Sequence, residues 1–115
     1  LDDYNTNTSS MKAAILNFEN NISENKILIL GDMFELGDHS SEEHQKIINL
    51  IENRNYLKVY LVGENFYNCK TQSKYFERYK STEEMLKHIK LKDFNTVNIL
   101  IKGSRGIGLE NLIIN

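Results

Sequence analysis

Lys26-Ile27-Leu28-Ile29-Leu30-Gly31-Asp32-Met33-Phe34-Glu35-Leu36-Gly37 carries the pattern that decides the fold of this 115-residue chain. Four consecutive aliphatic side chains, Ile27 to Leu30, leave no polar side to face water. A strand at 26–30 is therefore expected to be buried on both faces. That requires helices on each side of a sheet, the setting of parallel strands. Gly31 ends the strand, and Asp32 and Glu35 then place two carboxylates three residues apart before a second glycine, Gly37.

Both flanks of this stretch have helical spacing. Upstream, Met11, Ala14, Ile15, Phe18 and Ile22 recur every three or four residues behind Ser9-Ser10, which reads as an N-cap. Downstream, Ser40 and Glu43 have the spacing of a capping box ahead of Ile47, Ile48 and Ile51. Residues 59–62 read as the next strand, ended by Gly63, and 75–79 as a more polar strand suited to a sheet edge. Ser81 and Glu84 repeat the capping box before Met85, Leu86 and Ile89, and 97–101 reads as another buried strand. A short final helix is expected near Gly108, while 64–74 carries no decisive pattern. Apolar strands alternating with amphipathic helices predict an α/β fold, a Rossmann-like three-layer sandwich around a largely parallel sheet. Ligands of such sheets bind at the strand C-termini, which selects residues 2–8, 31–37, 63–65 and 102–106.

Composition narrows the function classes. Hydrophobic residues at 40% and charged residues at 26% suit one soluble folded domain spanning 1–115. The longest apolar run is four residues, against roughly 20 needed to cross a bilayer, so membrane insertion is not expected. A net charge of -2, with Lys and Arg dispersed, argues against nucleic acid as a partner. A single cysteine, Cys69, can form neither an internal disulfide nor a redox pair, which fits a reducing cytoplasm. The chain opens at Leu1 without Met and runs straight into a motif, as a fragment of a longer polypeptide is expected to do.

Three segments carry candidate chemistry. In 2–11, Asp2 can accept hydrogen bonds from a diol such as a ribose, and Asn5 and Asn7 offer both donors and acceptors; the same residue types also serve turns and helix caps. In 31–37, Asp32 and Glu35 can bind an ammonium, orient a Lys or Arg, or ligate a cation, or else be solvated acids on a glycine-hinged loop. His39 and His44 follow closely but straddle a helix start, and read as surface or capping groups with no metal site assigned. In 102–106, Lys102, Ser104 and Arg105 stand with Gly103 and Gly106 after a strand, a composition that suits an anion or a tight turn. It is neither a Gly-Lys-Ser/Thr phosphate loop nor a dinucleotide fingerprint, because the spacing of Gly103, Gly106 and Gly108 fits neither. With no nucleophile and base at a recognisable spacing and no loop to cradle ATP phosphates, no catalytic residue is assigned.

The three segments in series, Asp2-Asp3-Tyr4-Asn5-Thr6-Asn7-Thr8 through Ala14, Gly31-Asp32-Met33-Phe34-Glu35-Leu36-Gly37 with His44, and Lys102-Gly103-Ser104-Arg105-Gly106 with Leu109-Glu110, resemble the C-terminal domain of Mur ligases of the D-alanyl-D-alanine-adding (MurF) type. The resemblance covers nearly the whole chain. It implies one domain of a three-domain, ATP-dependent peptide-forming ligase acting in peptidoglycan synthesis. ATP and Mg2+ are then held mainly by a central ATPase domain of the same polypeptide, and the substrates are UDP-N-acetylmuramoyl-tripeptide and D-alanyl-D-alanine. It further implies that Asp2 holds the ATP ribose, that Tyr4, Asn5 and Asn7 line the nucleotide side, and that Asp32 and Glu35 face the substrates. Lys102, Ser104 and Arg105 match the segment that meets the incoming peptide and its carboxylate. On this resemblance the isolated domain is expected to be inactive.

Three positions depart from the family pattern: Asp3 stands in place of Ser or Ala, Thr6 in place of Ala, and Thr8 in place of Pro. Asp3 adds negative charge beside a nucleotide, and loss of the Pro loosens the entry to the first helix. Two alternatives stand beside this reading: another Mur-type amino-acid ligase, and a stand-alone, non-enzymatic α/β binding module.

Overall fold

The computed structural model describes residues 7–90, 94–104 and 107–108. Its elements run α1 (Thr8–Asn21), β1 (Lys26–Gly31), a 3-10 turn (Gly37–His39), α2 (Ser40–Ile51), β2 (Lys58–Val62), α3 (Glu64–Tyr67), β3 (Phe76–Tyr79), α4 (Thr82–Leu86) and β4 (Asn98–Lys102). The four strands form one sheet in the order β3-β2-β1-β4, and every pairing is parallel. All six residues of β1 are buried, as a strand with neighbours on both edges and helices on both faces must be.

The pleat sorts alternate residues of β1 and β2 into two cores. Leu28, Leu30, Val59 and Leu61 pack with Met11 and Ile15 of α1 and Ile47, Ile48 and Ile51 of α2. Ile27, Ile29, Tyr60 and Val62 pack on the opposite face with Met85 of α4. This is the expected three-layer sandwich: two helix layers, each closing one face of the sheet. Each fully buried Leu or Ile stabilises the fold by ~1.5–3 kcal/mol, so the central strands anchor everything built on their ends.

Several local expectations are corrected. The first helix is capped by Asn7 rather than by Ser9-Ser10. The Asn7 side-chain oxygen accepts from Ser10 N at 2.9 Å and Asn7 N donates to Ser10 Oγ at 3.1 Å, a complete capping box that starts ahead of the Ser9-Ser10 pair. The Ser40/Glu43 box does not form. The 3-10 turn brings the chain into α2 already helical, so Ser40 N bonds to Gly37 O, no side chain caps α2, and Glu43 pairs with Lys46 at 2.8 Å. At α4 half of the expected box forms, Ser81 Oγ accepting from Glu84 N at 3.1 Å. β3 and β4 each begin one residue later than the apolar pattern indicated. The stretch without a decisive pattern contains α3. The helix expected near Gly108 lies outside the described residues.

At the N-terminal end of the sheet a polar cluster ties α1 to the α2–β2 loop. Glu19 accepts from Arg54 at 2.8 Å and from the hydroxyl of Tyr56, whose ring lies 5.3 Å from the Lys26 ammonium. Burial, reinforced by Glu19, drives the Tyr56 phenol well above its usual pKa, so it is a hydrogen-bond donor throughout the working pH range.

Candidate active-site face

Because all four strands are parallel, the segments after β1, β2 and β4 emerge at one end of the sheet. Asp32 is the first residue past β1, and its backbone remains in register: Asp32 N bonds to Val62 O at 3.0 Å. Its side chain turns inward and is 2% exposed. One carboxylate oxygen accepts from Asn65 N at 2.8 Å and Asn65 Nδ2 at 3.0 Å, and the other from Phe66 N at 2.9 Å. Three donors at the start of α3 thus find their acceptor on the residue that follows another strand, which is why so short a helix forms there.

That approach dictates Gly63. A Cβ on Gly63 would lie 2.3–2.5 Å from the Asp32 carboxyl atoms, and its φ of +119° is one that side-chain-bearing residues rarely adopt. Glycine serves here to let a carboxylate reach a helix start.

The β1–α2 loop is held at further points. Met33 N donates to His44 Nε2 at 2.9 Å, and His44 Nδ1 lies 2.6 Å from Ser40 O. This pattern assigns the proton to Nδ1 and makes Nε2 an acceptor. The 3.8 Å approach of Nε2 to Asp32 Oδ1 is then a contact between two acceptors rather than an ion pair. His44 is fully buried, edge-on to Phe66 with ring centroids 4.7 Å apart. From the β4 side, Ser104 N bonds to Asp32 O at 3.0 Å and Ser104 Oγ accepts from Phe34 N at 3.0 Å. Asn65 closes the remaining gap, its Oδ1 accepting from Ser40 Oγ at 3.2 Å.

The candidate residues therefore divide. Asp32 and Ser104 are buried and join the loops after β1, β2 and β4. Glu35 is exposed, at φ +63°, and Gly37 at φ +59° turns the chain into the 3-10 segment. Lys102 is the last residue of β4, opposite Leu30, and is partly buried. Asn7 caps α1. Asp2, Tyr4, Asn5 and Arg105 lie outside the described residues. Cys69, behind this face, donates its thiol to Asn65 O at 3.3 Å; burial, with the negative charge of Asp32 adding to it, raises its pKa.

His44 and Asn65 were not singled out by sequence. His44 had a signal, since His44, Ile47, Ile48 and Ile51 follow the i, i+3, i+4, i+7 spacing of the buried stripe of α2. It was read instead as a surface or capping imidazole; it is a core residue with both ring nitrogens engaged. Asn65 lies in the 63–65 segment that the strand-end rule selects, but nothing marked its side chain, because its importance depends on a contact between loops 33 residues apart.

The sequence pattern of the Mur ligase, glutamate ligase domain family matches residues 1–105. Among curated proteins, the UDP-N-acetylmuramoyl-tripeptide--D-alanyl-D-alanine ligase of Rickettsia prowazekii is 37% identical across 97% of this chain, and that of Buchnera aphidicola subsp. Baizongia pistaciae also 37% across 97%. The chain spans only about a quarter of their lengths, 26% and 25%. Among solved structures, MurF from Acinetobacter baumannii superposes with a TM-score of 0.79 at 25% identity, over 98% of this chain and 26% of that one. MurF ligase from Thermotoga maritima, solved in complex with ADP, superposes with a TM-score of 0.75 at 21% identity, over 98% and 26%, and shares the fold.

Proposed function

The chain belongs to the Mur ligase family, as its glutamate ligase domain, and on that premise we propose that residues 1–115 are the C-terminal domain of a three-domain UDP-N-acetylmuramoyl-tripeptide:D-alanyl-D-alanine ligase. The observation that carries this reading is the convergence of the 32–37 loop and the turn after β4 at one end of the parallel sheet, joined through Ser104. Two of the three segments that resemble the dipeptide-adding enzymes thus form one surface.

In the proposed reaction the carboxylate of the UDP-linked tripeptide becomes an acyl phosphate at the expense of ATP. The amine of D-alanyl-D-alanine adds to its carbonyl carbon, and the tetrahedral intermediate collapses with loss of phosphate. The ATP phosphates and Mg2+ are assigned to the central ATPase domain of the same polypeptide, outside this chain. The present domain supplies the facing wall. Asp2 accepts the ribose hydroxyls, Tyr4, Asn5 and Asn7 line the nucleotide side, and the 32–37 loop faces the substrates. Lys102 and Arg105 meet the carboxylate of the incoming dipeptide, Arg105 being able to grip it in two-pronged fashion, while the buried Ser104 holds the 32–37 loop beside them. Closure on the central domain excludes water and so protects the acyl phosphate from hydrolysis. No helix among the described residues is long and apolar enough to cross a membrane, and we place the reaction in the cytoplasm, where the nucleotide-linked substrate is soluble.

The test is a substrate panel on the whole polypeptide. With ATP and UDP-N-acetylmuramoyl-tripeptide, D-alanyl-D-alanine is expected to be ligated and single amino acids are not. Asp2→Ala is expected to raise KM for ATP by about 10-fold, the loss of one hydrogen bond to a charged group, with KM for the dipeptide unchanged. Ligation of a single amino acid in place of the dipeptide assigns the chain to another Mur-type ligase. No ligation of either supports a binding module instead.

A further inference from the structure

Asp32 and Glu35 look equivalent in the sequence, yet the fold gives them opposite surroundings. Asp32 engages both carboxylate oxygens internally. Glu35 is exposed and has no hydrogen bond or ion pair among the described residues. Behind Glu35 runs a closed hydrogen-bond circuit. Asp32 Oδ2 accepts from Asn65 Nδ2 at 3.0 Å, Asn65 Oδ1 accepts from Ser40 Oγ at 3.2 Å, Ser40 O faces His44 Nδ1 at 2.6 Å, and His44 Nε2 accepts from Met33 N at 2.9 Å, which returns the circuit to the residue after Asp32.

The circuit locks the two feet of one loop. Residues 32 and 33 form one foot and residue 40 the other, while Ser104 Oγ holds Phe34 N from the side. Only 35–39 remain free of it, and within that span Glu35 and Gly37 both adopt left-handed backbone. A side-chain-bearing residue persists there only when its surroundings over-determine it, and these links, buried at His44 and Met33 and half-buried elsewhere, do so. The burial of Asp32 and His44 strengthens the links they make, since a partner left unpaired in the interior is costly.

We propose that this circuit is a clasp that aims the Glu35 carboxylate out of the domain, toward the cleft the ligase closes, where it receives a positively charged N–H donor. Asp32, Asn65, Ser40 and His44 are its positioning residues and act through Glu35. The assignment rests on the ligase reading. The donor is either the ammonium of the incoming dipeptide or a Lys or Arg of the facing domain, and both satisfy a carboxylate in the same way.

The test is a double-mutant cycle in the whole polypeptide. Asn65→Ala deletes two links of the clasp and leaves the backbone donors on Asp32 in place, while Glu35→Gln removes the charge. Each single variant is expected to lower kcat/KM by about 10-fold, short of the ~100-fold that a 1 Å misplacement can cost. The double variant is also expected to lose about 10-fold, because a carboxylate already removed cannot be mis-aimed. A rise in KM for the dipeptide identifies its ammonium as the donor; a fall in kcat with that KM unchanged identifies the facing domain. A double variant down by about 100-fold, the product of two independent losses, overturns the proposal, as does a Glu35→Gln variant with wild-type kinetics. Hydrogen exchange of a peptide covering 34–37 is expected to quicken in Asn65→Ala without loss of global stability, and unchanged exchange also overturns the clasp. Should Asn65→Ala fail to fold, Ser40→Ala cuts the same circuit by removing a hydroxyl alone. If the wild-type polypeptide ligates no dipeptide, the functional reading fails on its own, and the exchange measurement still decides the clasp.

Discussion

At the scale of single residues, the face is set by which polar groups point inward. The Asp32 carboxylate takes three N–H donors, so its neighbours must leave it space, and Gly63 is the residue that does. Gly63→Ala places a methyl group inside 2.6 Å of that carboxylate and forces a strained φ. It is expected to destabilise the domain by about 2–4 kcal/mol, the sum of a backbone penalty and an overpacked contact, measured as a fall in the urea midpoint at unchanged slope. A stability within ~0.5 kcal/mol of wild type would mean that the close approach is not a constraint. The same scale explains why the sequence could not tell Asp32 from Glu35. Both are acids in one glycine-flanked loop, and only the arrival of Asn65 and Phe66 at the start of α3 turns the first inward.

At the scale of elements, legibility followed how far each pattern is self-sufficient. β1 was readable because its unbroken aliphatic run admits one environment, and its six buried residues are that environment. α2 was readable from Ile47, Ile48 and Ile51, but its start was not, because a 3-10 turn replaced the side-chain cap that Ser40 and Glu43 suggested. α3 was not readable at all. Its four residues are stabilised by the carboxylate of Asp32, just past β1, and no local spacing records that. β3 is held at the sheet edge by its pairing with β2 and by a cross-strand contact, Lys58 Nζ to Glu77 Oε2 at 2.8 Å. The Lys58 hydrogen bond, with help from Tyr79, lowers the Glu77 pKa. A carboxylate with a lowered folded-state pKa stabilises the fold above its unfolded pKa of ~4.3, and that contribution is lost as the pH falls through the folded value. Both partners are about one-third exposed, so the contact contributes under ~1 kcal/mol. Glu77→Gln is therefore expected to be slightly less stable than wild type by urea unfolding at pH 7 and equal to it near pH 3. An equal gap at both pH values would show that the charge of Glu77 is not what holds the strand.

At the scale of the whole molecule, the fold supplies a parallel sheet whose strand ends carry candidate groups, and the phosphate chemistry is proposed for a facing domain. The overall architecture was accessible from sequence because alternating buried strands and amphipathic helices have few packings, whereas the division of the face into an inward-bonded clasp and an exposed acid needed tertiary structure. The most direct test of the account is ATP-dependent dipeptide ligation by three proteins side by side: the whole polypeptide, the polypeptide lacking residues 1–115, and residues 1–115 alone. Ligation by the first, with no turnover above background by either part, is the predicted result. Undiminished ligation by the polypeptide that lacks this domain, or turnover by the domain alone, would contradict the proposal that it forms one wall of a shared active site.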